Sequence, residues 1–312
     1  IDEFERRARR GELAPFSDVF IPALTGERFV QARELPLFAA RYACPPPRDQ
    51  NRFILCANNE YASPELMFPG LQQPTAFTPA HAEAIYAAIG VSIVEVARDA
   101  GVWRVIRSPA PGQGVNRRVT PFTPVRFTGP AAHHPWIEAA SAIVNAAEPG
   151  ARAGEVACGT MANCAGGLTP WGTYLSAEEN FESNFAGSQS DLNAARRDDA
   201  FALDAASFGY PGEAPEALVP RQFRVAENPH GPALYGWVVE IDPYDPSSTP
   251  KKRTALGRKK NECATTALTP DSRVVVYMGD DQRGEHVYKF VSRGRFDPAN
   301  RAANMDLLDE GN

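Results

Sequence analysis

The stretch Arg273–Ser292, RVVVYMGDDQRGEHVYKFVS, decides the fold class. Two runs rich in β-branched and aromatic residues, 273–278 and 286–292, flank the turn-forming Gly279-Asp280-Asp281. Short runs of this composition, stopped by Gly and Asp, read as strands. The same pattern recurs upstream. Residues 235–242 (YGWVVEID) read as a strand ended by Pro243, and 261–268 lead into a turn at Pro270-Asp271. RFILCA (52–57) reads as a strand, and 91–97 with 102–106 as a hairpin turning at Asp99-Ala100-Gly101. Short strands separated by about ten residues predict a mainly β chain, namely a sandwich, a barrel or a propeller. No clean repeat period separates these architectures.

Proline supports that reading: 28 of 312 residues is about 9%, against a usual level near 5%. Proline removes a backbone donor and is confined to turns, edges and first helical turns, so long helices are not expected. Two short helices are predicted, at about 80–89 after Thr78-Pro79 and at 135–147 (PWIEAASAIVNAA). The charged IDEFERRARR (1–10) reads as a helical arm, 15–52 as loops ending in Cys44-Pro45-Pro46-Pro47, and 184–232 as loop with a few short elements.

With 32 basic and 38 acidic residues the formal charge is −6, which argues against a general binder of nucleic acid or anionic membrane. A hydrophobic content of 43% excludes wholesale disorder. No stretch approaches the roughly 20 apolar residues of a membrane span. The chain begins with Ile1, so the absence of a targeting segment says nothing about compartment. Five cysteines (Cys44, Cys56, Cys158, Cys164, Cys263) without CxxC spacing exclude a zinc ribbon and disfavour a dense disulfide framework.

The P-loop, nucleophile-elbow and HExxH motifs are absent. Cys158 has Cys164 six positions on, where a cysteine-dependent phosphatase would carry arginine, which removes that mechanism. The five histidines are scattered, with His133-His134 before a helix, and support neither a histidine metal site nor a Ser-His-Asp triad.

The densest polar constellation runs from Gly159 to Asn180: small residues around Cys164, a Trp-containing strand, then Glu178-Glu179. Strand alternation would send one glutamate inward and the other out. A thiolate beside a carboxylate offers one soft and one hard ligand, suited to a transition metal next to a harder cation. The plainer alternative is a buried structural cysteine with both glutamates in solvent, and composition alone favours it.

Further acidic residues stand at predicted strand ends: Glu60 after Asn58-Asn59, Glu262 in KNEC (260–263), and Asp280-Asp281. Adjacent carboxylates repel unless a cation or arginine lies between them. Such oxygens suit calcium, and Asn58, Asn59, Asn180 and Asn261 could add carbonyl oxygens. Each site taken singly is also ordinary turn chemistry.

The run Cys164–Asn180, CAGGLTPWGTYLSAEEN, resembles the PhoX family of bacterial alkaline phosphatases. So do NNEY (58–61), PELMFPG (64–70), GWVVEIDP (236–243), TALGR (254–258) and VYMGDD (276–281), in the expected order. The resemblance covers most of the chain from about residue 53. It implies a β-propeller, partial here, with a few short helices in insertions. It also implies 1–52 as an arm leading into a propeller portion at 53–312, and hydrolysis of small phosphate monoesters. A mixed Fe3+ and Ca2+ site, twin-arginine export to the periplasm or medium, and a monomer follow from the same source. Carried over by motif, Cys164 would bind iron, Glu262 iron or calcium, and Glu179 and Asp281 would be calcium or bridging ligands. Glu178, Asp280 and Glu60 are further metal candidates. Family members usually carry His where Asn59 and Asn261 stand. DLLDEG (306–311) resembles the lead-in to a further strand, so the C-terminal blades, more acidic ligands and a phosphate-contacting arginine are expected beyond residue 312, and residues 1–312 alone are not expected to make a competent phosphatase. On the residues alone, a calcium-binding propeller without turnover and a propeller lactonase or phosphotriesterase remain open.

Overall fold

Prolines mark where many elements of the computed structural model begin, and no strand or helix exceeds ten residues among the described residues (51–68, 70–71, 73–107, 114–144, 151–195 and 199–312). The predicted arm, the loops up to residue 50 and Cys44 lie outside the described residues. In chain order the elements are β1 (Arg52–Asn59), α1 (Pro64–Met67), α2 (Pro79–Ala88), β2 (Gly90–Asp99), β3 (Val102–Val105), β4 (Arg117–Val119) and β5 (Pro124–Thr128). There follow α3 (Pro135–Val144), β6 (Val156–Cys158), β7 (Asn163–Leu168), β8 (Tyr174–Glu178), α4 (Gln189–Ala195) and α5 (Asp199–Phe208). The last strands are β9 (Val238–Ile241), β10 (Lys251–Arg253), β11 (Thr265–Leu268), β12 (Arg273–Met278) and β13 (Tyr288–Arg295). Helices α1, α2 and α3 each open on proline, whose missing N–H and fixed φ suit the first helical turn. At α2, Thr78 accepts from the His81 N–H at 3.4 Å while His81 Nδ1 accepts from the Thr78 N–H at 3.1 Å.

Among the described residues three sheets result, none closed on itself. The first joins β1, β2 and β3 in that order, with β4 also on β2. The second has six strands, β6-β5-β10-β9-β8-β7, with β10 parallel to β5. The third is β11-β12-β13, antiparallel throughout. Residues 310–312 continue it, because Arg293 N–H donates to Glu310 O and Val291 N–H to Asn312 O.

Alternation along β8 stacks these sheets. Tyr174 points toward the first sheet and packs with Val91, Ile93, Val119 and Val239, whereas Leu175 points toward the third and packs with Val274, Val276, Met278 and Phe290. Successive open sheets stacked face to face make the chain part of a β-propeller. The middle sheet, with six strands, is larger than the four of an ordinary blade.

A third core, rich in aromatics, gathers Ile85 and Tyr86 of α2, Ile137 of α3, Phe201 of α5, and Phe181, Phe223, Tyr235 and Trp237. The segment 184–232 is thus less loop-like than its Gly and Pro suggest: α5 is ten residues long and buries Phe201 and Ala205. Asp204 on α5 receives Arg258 and the Tyr210 hydroxyl. The strand expected over 235–242 is shorter, because a 3-10 turn at Gly231–Leu234 precedes it. No helix among the described residues is long and apolar enough to cross a membrane.

Candidate metal centre

Five chemically active side chains come from strand ends on all three sheets. Glu60 follows β1, Cys164 lies on β7, Glu179 follows β8, Glu262 precedes β11, and Asp281 lies beyond β12. Two glycines permit the close approach. A Cβ on Gly166 would stand 2.0 Å from Leu175 O, and one on Gly167 would stand 2.0 Å from Ala264 O. The second contact brings the strand after Glu262 against β7. Backbone bonds then tie the carriers: Glu179 N–H donates to Ala162 O at 2.9 Å, Asn261 N–H to Glu178 O at 2.9 Å, Glu262 N–H to Gly279 O at 3.2 Å, and Asp281 N–H to Lys260 O at 3.1 Å.

These donors form two overlapping groups. Glu60, Cys164 and Glu179 make one, and Glu179, Glu262 and Asp281 the other, with ligand atoms in each group within 4.8 Å of one another. Glu179 belongs to both and is buried, while Asp281 is exposed. Asn180 bridges across: its Nδ2 donates to Glu179 Oε1 at 2.9 Å and to Asp281 Oδ2 at 3.0 Å.

Electrostatics show what the arrangement lacks without a cation. Burial, then the negative charge of Glu262 and Glu60, pushes the Glu179 carboxyl up to about 8. Burial, then Glu179 as hydrogen-bond acceptor and neighbouring charge, holds the Cys164 thiol far above its ordinary range. Glu60 is also raised, first by burial. A soft sulfur and four gathered carboxylates fit multivalent cations, which favour the ionised forms of Cys164, Glu60 and Glu179 that burial opposes. The residues present therefore fit a metal group, with a mixed sulfur–oxygen side and an all-oxygen side.

Other predicted site residues lie elsewhere. Glu178 and Asp280 are outside both groups. Glu178 and Glu179 do not divide into one buried and one exposed, since both are buried. They diverge instead, with Glu178 turned into the sheet onto Lys252 at 2.7 Å. Asp280 Oδ1 accepts from the Gln282 N–H at 3.1 Å, a turn role. Asn58 is used structurally: its amide donates to Cys164 O and Ala165 O while Oδ1 accepts from Tyr174 and Ser176. Asn59 Nδ2 donates to Ser92 Oγ at 2.9 Å, and Asn261 Nδ2 to Gly236 O at 2.9 Å. Of the four asparagines suggested as oxygen donors, only Asn180 contacts the cluster's carboxylates.

Three further residues near the site were not singled out by the sequence. Tyr61 is 57% exposed beside Glu60, whose charge adds to burial in raising its hydroxyl. Lys260 pairs with Glu182 at 2.7 Å next to Glu262. Lys252 is buried under Glu178. Only the adjacency of Tyr61 to Glu60 and of Lys260 to the Asn-Glu pair could have pointed to the first two.

The family model described as Alkaline phosphatase PhoX matches residues 28–312. Among solved structures, the chain is similar to Pseudomonas fluorescens PhoX in complex with vanadate, a transition state analogue. The identity is 41% and the TM-score 0.70, over 85% of this chain and 42% of that one. The chain thus spans less than half the length of that structure. No curated protein matches.

Proposed function

The chain belongs to the PhoX alkaline phosphatase family, and from that membership we propose that it hydrolyses phosphate monoesters at an iron–calcium centre held by Glu60, Cys164, Glu179, Glu262 and Asp281. The observation that carries the reading is the sharing of buried Glu179 between a sulfur-containing group and an all-carboxylate group. Thiolate favours iron and the oxygen-only side favours calcium, so the two groups suit different ions. The vanadate complex of the similar Pseudomonas protein supports phosphoryl transfer as the chemistry.

When bound, such ions would neutralise substrate phosphate oxygens, polarise the attacking oxygen and offset charge on the leaving oxygen. The chain's own residues prepare that state. Burial favours the protonated forms of Glu179 and Cys164, and a bound cation would favour their ionised forms. Asn180 holds the Glu179 and Asp281 carboxylates at one spacing. Exposed Asp281 leaves one side of the cluster open to solvent and substrate. Family resemblance further supports twin-arginine export to the periplasm and a monomeric state.

A second reading, a calcium-binding propeller portion without turnover, is favoured by Asn59 and Asn261. They occupy places where the resemblance implies imidazoles, yet their amides are spent on Ser92 and on the backbone. Elemental analysis of the purified full chain, with p-nitrophenyl phosphate turnover at alkaline pH, separates the two. Iron with calcium and chelator-sensitive phosphate release is expected. Calcium without iron, and no turnover, supports the second reading. Cys164→Ala should lose iron and turnover together, and unchanged turnover would overturn the iron assignment.

A further inference from the structure

Glu178 was a candidate metal ligand, and the fold assigns it other work. Its carboxylate is fully buried, with Lys252 Nζ 2.7 Å from Oε1 and the Trp237 N–H donating to Oε2 at 3.0 Å. Lys252 is 1% exposed, donates to Leu234 O, and lies 4.1 Å from the Tyr235 ring centroid. The partners reach each other across β9, since Lys252 is on β10 and Glu178 ends β8.

A buried ion pair is poor evidence for stability, because desolvation of both charges cancels much of their attraction, and well-packed apolar pairs often do as well. Specific placement is the better account here. Consecutive side chains on an extended strand diverge, so drawing Glu178 inward turns Glu179 toward the cluster. The Glu178 carbonyl accepts the Asn261 N–H at 2.9 Å, which locates the residue before Glu262, and Asn261 in turn bridges to Asp280, the residue before Asp281. One anchored residue therefore sets three neighbouring carboxylates.

We propose that Glu178 and Lys252 form a positioning pair whose mutual attraction fixes Glu179, Glu262 and Asp281 in metal-binding geometry. The proposal rests on the metal reading above. It explains why two charges are kept in an interior surrounded by Phe127, Tyr235 and Trp237.

The test uses the full chain and the double variant E178M/K252M, which removes both charges and fills their space. Thermal unfolding is compared with calcium affinity by titration calorimetry, and with kcat and KM for p-nitrophenyl phosphate. The expected result is a melting temperature equal to or above wild type, calcium bound at least tenfold more weakly, and kcat reduced more than KM is raised. Calcium affinity and kcat equal to wild type would overturn the proposal. Should the double variant not fold, E178Q decides, since it keeps the acceptor for Trp237 and removes only the charge. A tenfold loss of calcium affinity in a cooperatively unfolding E178Q protein supports positioning, and unchanged affinity overturns it. A wild-type chain that binds no metal sinks the metal reading itself, whereas wild-type binding with unaltered variants sinks only the positioning role.

Discussion

Asn180 Nδ2 lies 3.0 Å from Asp281 Oδ2, joining two residues 101 positions apart. The same nitrogen donates to Glu179 Oε1 at 2.9 Å. Each such bond contributes about 1 kcal/mol net, roughly doubled when the acceptor is ionised. Asn180→Ala removes both bonds and should therefore weaken calcium binding by more than about tenfold, since about 1.4 kcal/mol is a factor of ten. Asn180→Asp should weaken it differently, adding a charge but removing the donor. Calorimetric titration of both variants checks the order, and equal affinity in all three proteins would contradict the clamp.

Metal-free protein should become less stable as pH rises from about 4.5 to 8. The Glu179 carboxyl, raised to about 8 when folded, ionises near 4.5 once unfolded. Between those values the folded state holds the extra proton, so increasing pH favours unfolding. Bound cations favour ionised Glu179 and should flatten the slope. Thermal melts across this range, with chelator and with saturating calcium, test the sign.

Lys259 should show the opposite dependence. It is 5% exposed, with Leu256 O at 2.8 Å as acceptor, and burial lowers its ammonium from 10.5 to about 8. Above pH 8 the folded amine is neutral while the unfolded chain stays protonated to 10.5, so stability contributed here rises with pH through that window. Lys259→Met should be more stable than wild type at pH 7, by up to about 3 kcal/mol, with the advantage shrinking toward pH 10. Denaturant titration at the two pH values measures it.

Gly167→Ala should damage both fold and site. The added Cβ would meet Ala264 O at 2.0 Å, forcing β7 away from the segment that follows Glu262. A destabilisation of about 1–3 kcal/mol is expected from overpacking. Metal content should fall with it, because Glu262 and Cys164 separate. Gly101→Ala serves as a control: Gly101 has a φ of +84°, which strains an alanine, but open space around its Cβ, so the variant should lose stability and keep its metals.

The strands were largely legible because each is a short apolar run closed by Gly, Pro or Asp. Arg273–Met278 and the hairpin of β2 and β3 follow that grammar closely. α5 was hidden because DAFALDAASF is small and weakly patterned, and its burial comes from aromatic partners such as Tyr210 and Phe181. At the site, the residue types of Cys164, Glu60, Glu179, Glu262 and Asp281 admitted metal chemistry, and the family resemblance nominated all five as ligands. Lys252 was invisible, since nothing local marks a lysine as the partner of a glutamate 74 positions away.

What the sequence determined by itself is the class of structure, and its resemblance to a family nominated the kind of chemistry. Proline frequency excludes long helices, strand-length apolar runs demand sheets, and a cysteine among acidic residues suits mixed metals. What only the tertiary structure decided is which carboxylates meet. Adjacent Glu178 and Glu179 are chemically identical, and strand alternation says only that they diverge. Sheet order β10-β9-β8 brings Lys252 under one of them, and stacking of the third sheet brings Glu262 and Asp281 to the other. Long-range pairing assigns the two roles, because a charge is stabilised by what surrounds it in space.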